Sequence, residues 1–258
     1  MTLFMKEYFD YFLIIMTIIA LIVFVSLFFV TAGYGKFASK RWGPSVNNKV
    51  GWILMESPVF IAMTILWLFS ARSWQPAIFV MFCLFQLHYF QRSFIFPLLL
   101  KGKSTMPLSI ILMGIVFNLL NALMQGGWLF YLSAPERYPV QWLTSWQFIT
   151  GTIIFLSGYF ININSDSIIR NLRKPGETKH YLPQGGLYNY VTSANYFGEI
   201  LEWCGFALLT WSFAGAVFAW WTFANLLPRA AAIHRDYREK FGKEMEGKRL
   251  RRVFPFIY

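Results

Sequence analysis

Two stretches of this chain, Tyr11 to Gly35 and Ser104 to Pro135, contain no charged residue. Coiled as helices, each is long enough to cross about 30 Å of hydrocarbon. A segment apolar over that length has no face to offer water, so the natural solvent for much of this chain is lipid. Composition agrees: 57% of the 258 residues are hydrophobic and 14% are charged, against about 25% charged in a soluble domain. A disordered chain and a disulfide scaffold are excluded. Simple nucleic-acid binding is excluded too, despite a net charge of +11. The only cysteines, Cys83 and Cys204, sit inside apolar segments, with no Cys/His cluster to suggest zinc and so no expected metal.

Hydrophobic runs bounded by charge or by Pro and Gly give seven spans, near 10–33, 51–71, 73–100, 105–132, 140–163, 188–211 and 214–234. The expected fold is an all-α integral membrane protein of seven transmembrane helices, a single domain over 1–258. The first run is too long for a signal-peptide core and reads as a retained helix. The last two spans share a very short turn near Ser212 to Gly215. Two stretches look soluble, the loop from Asn164 to Gly186 and the tail from Asp236 onward.

Basic residues test this count, because cytoplasmic loops collect Lys and Arg. Lys36, Lys40, Arg41 and Lys49 fall on one side, as do Lys101 and Lys103, then Arg170, Arg173, Lys174 and Lys179, and every basic residue from Arg229 onward. The other side holds Lys6, Arg72 and Arg137, and Arg92 lies within a span. The asymmetry predicts an outside N-terminus, in the lumen or periplasm, and a cytosolic C-terminus. An even number of spans would destroy it. Orientation and contact with lipid headgroups account for most of this charge, and the same loops also suit a polyanionic cofactor.

Against this apolar background stand Glu56, His88, Arg92, Glu199 and Glu202, accompanied by Gln86, Tyr89, Asn118, Asn121, Gln125, Asn162 and Asn195. An ionisable group at mid-bilayer costs on the order of 3 kcal/mol on insertion scales, so such groups face one another or a cavity. Helix locking by Glu–Arg pairs is the plain alternative for any one of them. Glu56, Tyr89, Arg92, Asn162, Asn195 and Glu199 gather in the cytosolic leaflet, whereas a channel or transporter needs polar groups across the thickness or at the midplane. Asn195, Glu199 and Glu202 share one helical face, as do His88, Tyr89 and Arg92 at spacings of three and four. The pattern predicts a pocket open to the cytosol, closed on the far side and walled by apolar residues. No G-x-G-x-x-G or P-loop is present.

The segment that begins at Asn162 carries a resemblance. The runs Asn162-Ile-Asn-Ser-Asp166, Leu172-Arg173-Lys174-Pro175-Gly176-Glu177, Pro183-Gln184-Gly185-Gly186-Leu187 and Ser193 to Trp203 resemble the steroid 5α-reductase family. So do Arg229, Tyr237 and the ending Phe254 to Tyr258, and earlier Gly33-Tyr34-Gly35-Lys36, Glu56-Ser57-Pro58 and His88 to Phe94. These matches cover most of the chain and are densest in its C-terminal half.

The resemblance implies an NADPH-dependent 3-oxo-Δ4-steroid 5α-reductase with seven transmembrane helices. It assigns Glu56 and Tyr89 to the steroid 3-oxo group. It assigns Asn162, Asp166, Arg173, Asn195, Glu199, Arg229 and Tyr237 to NADPH, with Tyr34 and Arg92 in addition, so that cofactor-binding features concentrate in 160–258. Hydride delivery to C5 builds negative charge on the carbonyl oxygen, and donors at that oxygen are the main lever a protein has. Tyr89 supplies a phenolic O–H, while Glu56 donates only as the neutral acid, a form that burial favours. A Tyr with a protonated carboxylic acid performs this task in ketosteroid isomerase, an unrelated protein. Basic residues such as Arg173 suit the phosphates, including the 2′-phosphate, and Glu202 reads as structural.

Three positions depart from the animal steroid enzymes: Met55 where a Gln precedes the Glu, Met113 where an Arg is common, and Ile233 where a His sits near the cofactor. Two other readings stay open. One is a reductase of another lipid enone or polyprenol; the other is an isoprenylcysteine methyltransferase-like enzyme that uses S-adenosylmethionine. The expected partners are a 3-oxo-Δ4-steroid and membrane lipid, with no nucleic acid and no obligate protein partner. The expected location is the endoplasmic reticulum membrane in a eukaryote or the cytoplasmic membrane in a bacterium, with the active site opening to the cytosol.

Overall fold

The computed structural model describes residues 2–30, 33, 37, 40–102, 104–172 and 181–258. Among them run the helices α1 (Thr2–Phe29), α2 (Asn48–Leu68), α3 (Pro76–Phe90), α4 (Phe96–Leu99), α5 (Leu108–Gly126), α6 (Trp146–Asn171), α7 (Ala194–Thr210) and α8 (Phe213–Met245). Local chemistry sets several starts. The side chains of Asn47, Ser145 and Ser212 accept from Lys49 N, Phe148 N and Gly215 N, capping α2, α6 and α8. Pro76 opens α3, where its missing N–H costs nothing.

A π-helical turn, Gln91–Ile95, joins α3 to α4, and a second, Gly127–Leu132, extends α5. Pro97 offers no N–H, and the turn before it widens so that Phe96 N bonds Gln91 O. The helical rods Phe4–Phe29, Asn48–Leu68, Pro76–Leu99, Leu108–Leu132 and Trp146–Asn171 are each long and apolar enough to cross a membrane. They occupy the first five expected spans.

The later boundaries move. Residues Val140–Thr144 form a 3-10 turn, so the fifth rod starts at Trp146 and not at 140. It then continues to Asn171, through the start of the expected loop, because neither glycine nor proline occurs between Gly158 and that residue. Helix α7 starts at Ala194, after a 3-10 turn at Gly186–Asn189. Helix α8 runs past Asp236 to Met245, kinked at Phe241 (φ −127°, ψ 26°), and up to the kink the stretch is rich in good helix formers and carries an Asp236–Lys240 pair at 2.8 Å. The short turn between α7 and α8 stands where expected, with Trp211 in the left-handed region at φ 44°. A small antiparallel ladder, β1 (Ser45–Asn47) with β2 (Thr105–Pro107), ties the entry of α2 to that of α5. No sequence pattern announced it.

Helices α6 and α7 are antiparallel and make the closest contact in the bundle. Gly151 and Gly158 on α6 meet Gly205 and Gly198 on α7, and a Cβ on Gly158 would lie 2.3 Å from Glu202 N and 2.5 Å from Gly198 O. Small residues at such a seam let two backbones touch, and the seven-residue spacing keeps the seam facing its partner. Beside it sits an aromatic core of Phe85, Phe155, Trp203, Phe206 and Phe218. Helix α1 lies along α8, where Phe24 meets Trp220 and Phe223, and exposes Ile14, Ile18 and Ile22.

Polar side chains tie together the bundle end that holds the α2–α3 and α7–α8 turns. Trp128 Nε1 donates to Tyr138 OH at 2.7 Å, and Tyr138 OH donates to Thr210 O at 2.7 Å. Trp142 Nε1 reaches Leu209 O at 2.9 Å and Arg137 reaches Trp211 O at 2.7 Å. At the opposite end the C-terminal segment straps the start of α7: Thr192 N donates to Arg251 O at 2.9 Å, and Val253 is buried.

Candidate active site

Most of the polar residues singled out in the spans assemble into three connected groups; Gln125, which bonds Ala214 O at 2.9 Å, lies at the end of the bundle that holds the α7–α8 turn, and Gln86 bonds Phe60 O and Thr64 Oγ1. Helix α5 organises the first group with two amides three residues apart. Asn118 Nδ2 donates to Met55 O at 2.7 Å and to Glu56 Oε2 at 3.1 Å. Asn121 Nδ2 donates to the buried Tyr89 hydroxyl at 3.0 Å. Positions i and i+3 of a helix carry their Cβ atoms about 5–6 Å apart, so Glu56 of α2 and Tyr89 of α3 are held at adjacent sites along one wall.

A second group is built around Asp166. Arg92 NH1 bonds Asp166 Oδ2 at 2.9 Å, Asn195 Nδ2 bonds Asp166 Oδ1 at 3.1 Å, and Asn162 Nδ2 reaches the Asn195 carbonyl at 3.0 Å. The π turn turns Arg92 inward from α3, and its guanidinium lies 4.5 Å from the Trp52 ring centroid and 4.4 Å from that of Phe96. Tyr188, in the turn before α7, is buried and donates to Asn195 Oδ1 at 3.4 Å. Burial, reinforced by the Asp166 carboxylate, pushes its phenol well above the usual range, so it remains an O–H donor.

A third group lies behind these. His88 Nδ1 and Glu202 Oε1 are 2.8 Å apart, both residues being buried. Glu202 Oε1 is thus committed to His88. Glu199 is within electrostatic reach of Arg92, His88 and Asp166. On α8, Arg229 Nε donates to Tyr196 OH at 2.8 Å, and Tyr237 is buried within electrostatic reach of Tyr188. Tyr34 and Arg173 lie outside the described residues.

This donor set fits a nicotinamide dinucleotide. Guanidinium groups from Arg92 and Arg229 suit phosphates, while Asp166 and the amides of Asn162 and Asn195 suit ribose hydroxyls or a carboxamide. Ser193 Oγ, buried at the head of α7, has no hydrogen-bond partner among the described residues. Helix N–H groups there favour an anion.

The chain is similar to known proteins over most of its length. Residues 104–258 match the family described as 3-oxo-5-alpha-steroid 4-dehydrogenase. The chain is 38% identical to "Steroid 5-alpha-reductase DET2" of Gossypium hirsutum over 97% of each chain. It is 39% identical to "3-oxo-5-alpha-steroid 4-dehydrogenase 1" of Mus musculus, over 93% of this chain and 92% of that one, and 38% identical to the protein of the same name from Homo sapiens, over 87% and 86%. The chain belongs to the 3-oxo-5-alpha-steroid 4-dehydrogenase family. It is an oxidoreductase of the steroid 5-alpha-reductase group, and its apolar rods make it a multi-pass membrane protein.

Within this 5-alpha-reductase frame, two sequence departures gain a location. Met113 is 59% exposed on the outer face of α5, away from the inward amides of that helix. Met55 is buried, its side chain filling the space beside Gly114 and its carbonyl accepting from Asn118. Sequence reading noted Asn118 and Asn121 only as polar residues within a span; their three-residue spacing was the available signal. It missed the glycine seam altogether, although Gly151/Gly158 and Gly198/Gly205 repeat at the same interval.

Proposed function

We propose that this chain uses NADPH to reduce the Δ4 double bond of a 3-oxo-Δ4-steroid, giving the 5α-3-oxosteroid. The observation that carries the reading is the placement of Glu56 and Tyr89 on adjacent amides of α5, beside the group centred on Asp166. When bound, NADPH supplies the hydride that is delivered to C5. Tyr89 and Glu56, the latter as the neutral acid, direct O–H groups at the 3-oxo oxygen and stabilise the charge that grows there. Arg92, Arg173 and Arg229 pair with the phosphates, Arg173 favouring the 2′-phosphate. Asn162, Asp166 and Asn195 hold uncharged polar parts, and Glu199, Tyr34 and Tyr237 complete the cofactor enclosure. The walls of α2, α3 and α5 exclude water from the enone.

In this reading the whole chain is one domain and α7 and α8 complete seven crossings. The N-terminus lies in the lumen or periplasm, and the C-terminus and the mouth of the site face the cytosol. The charge asymmetry of the loops supports this orientation, as does the gathering of Arg92, Asn162, Asp166 and Asn195 at the end strapped by the basic C-terminal segment. The membrane is the endoplasmic reticulum in a eukaryote or the cytoplasmic membrane in a bacterium.

The deciding experiment incubates membranes containing the full chain with NADPH and 4-androstenedione, progesterone or testosterone, and determines the product and its C5 configuration. A 5α product from at least one of them is expected. No NADPH oxidation with any of the three, or thermal stabilisation by S-adenosylmethionine in place of NADPH, would overturn the reading.

A further inference from the structure

The two amides of α5 do more than hold Glu56 and Tyr89 in place; they determine where the protons of those residues point. Tyr89 has one hydroxyl hydrogen. Its oxygen receives the Asn121 N–H at 3.0 Å, so that hydrogen is directed elsewhere. The neutral form of Glu56 likewise has one acidic hydrogen, and the Asn118 N–H on Oε2 at 3.1 Å marks Oε2 as the acceptor oxygen. The hydrogen then belongs on Oε1. Both N–H groups of Asn118 are committed, since Nδ2 also donates to Met55 O at 2.7 Å. That clamp on two successive residues of α2 keeps the amide from turning its carbonyl toward the acid. Both asparagines are buried, at 4% and 0% exposure, so water does not compete for these bonds.

We propose that Asn118 and Asn121 are positioning residues that turn the Glu56 and Tyr89 O–H groups toward a single carbonyl oxygen of the substrate. The inference rests on the polarising-pair reading above. It predicts that an amide donor, and not merely a polar residue of that size, is required at both positions. Aspartate in place of either asparagine is the sharpest probe. It keeps the shape, removes the donor and offers an acceptor that captures the very proton the carbonyl needs.

The test uses the full chain in membranes, with saturating NADPH and 4-androstenedione, and single-turnover rates of enone reduction. Asn121→Asp and Asn118→Asp are each expected to slow turnover about tenfold or more, the scale of one well-placed hydrogen bond, with NADPH affinity and its thermal stabilisation unchanged. Asn121→Ala and Asn118→Ala, which bury no new charge, serve as second variants and are expected to lose activity in the same direction. The discriminating readout is a cycle on the parent residue: Asn121→Asp made in a Tyr89→Phe background, and Asn118→Asp in a Glu56→Ala background, should each cost less than about twofold. Equal losses in both backgrounds would show a merely structural role and overturn the inference, as would full activity in both the Asp and the Ala variants. Full activity in Tyr89→Phe and Glu56→Ala themselves would sink the parent reading and this inference with it, so the two failures are distinguishable.

Discussion

The glycine seam between α6 and α7 makes Gly158→Ala a severe substitution for one methyl group. The new Cβ would stand 2.3 Å from Glu202 N, 2.5 Å from Gly198 O and 2.8 Å from Glu202 Cα, all backbone atoms, whereas ordinary contact begins at 3.4 Å. No rotamer relieves such a clash, so the helices must part by roughly 1 Å at this level. Overpacking of this kind costs about 1–3 kcal/mol, which for a chain of this size lowers Tm by roughly 4–8 °C at the middle of that range. The functional cost follows from position. Asn162 lies one turn beyond Gly158, and its 3.0 Å bond to the Asn195 carbonyl crosses the same seam, as does the 3.1 Å bond from Asn195 to Asp166. Parting the helices by that distance breaks both. Thermal unfolding in detergent and NADPH titration therefore give paired readouts: Gly158→Ala lowers Tm and weakens NADPH, whereas Gly151→Ala, which meets Leu209 N at 2.4 Å near the other end of the seam, lowers Tm with a smaller effect on NADPH. Unchanged Tm and unchanged NADPH affinity in Gly158→Ala would refute the reasoning.

Other substitutions probe the site from different sides. Tyr89→Phe should slow enone reduction by about 10²-fold, the scale of removing one donor from a developing oxyanion, and Glu56→Gln, which exchanges the acid O–H for a weaker amide N–H donor, should slow it less, with both proteins still folded; steady-state kcat with saturating NADPH checks this. Arg173→Ala should weaken NADPH more than NADH, and equal losses for the two cofactors would contradict a 2′-phosphate contact. Arg92→Lys keeps the charge but loses the flat guanidinium that lies against Trp52 and Phe96 and bonds Asp166, so NADPH affinity should fall nearly as far as in Arg92→Ala. His88→Ala strands the fully buried Glu202 and should cost about 3–5 kcal/mol, whereas Glu202→Gln retains a hydrogen bond to His88 and should cost far less, as thermal unfolding will show.

The first five spans were legible because each is an uninterrupted apolar run, and hydropathy reads that pattern directly. The later boundaries were not. After Tyr159 the sequence Phe160-Ile-Asn-Ile-Asn-Ser-Asp166 mixes polar and apolar residues, which looks like an exit from the membrane into a loop. The helix instead continues to Asn171, because leaving the hydrocarbon ends the demand for apolar side chains without ending the backbone's preference for helix. The stretch from Arg229 to Met245 is the same case, charged and helical together.

In the site, identity was legible and partnership was not. Glu56, Tyr89, Arg92 and Asp166 stood out because ionisable or donor groups in apolar surroundings need a reason. Which of them meet depends on the crossing of distant helices, and no local pattern encodes that. Arg92 shows the consequence: nothing local says which carboxylate it meets, and the π turn before Pro97 delivers it to Asp166, seventy-four residues away, while Glu202 is left to His88. The glycine seam explains why that choice is stable. It brings α6 against α7 closely enough for Asn195 to bond Asp166 from the far side, so the carboxylate is held between a guanidinium and an amide. A residue with no side chain therefore sets the geometry of the charged ones, and the seam belongs to the candidate site as much as the groups it aligns.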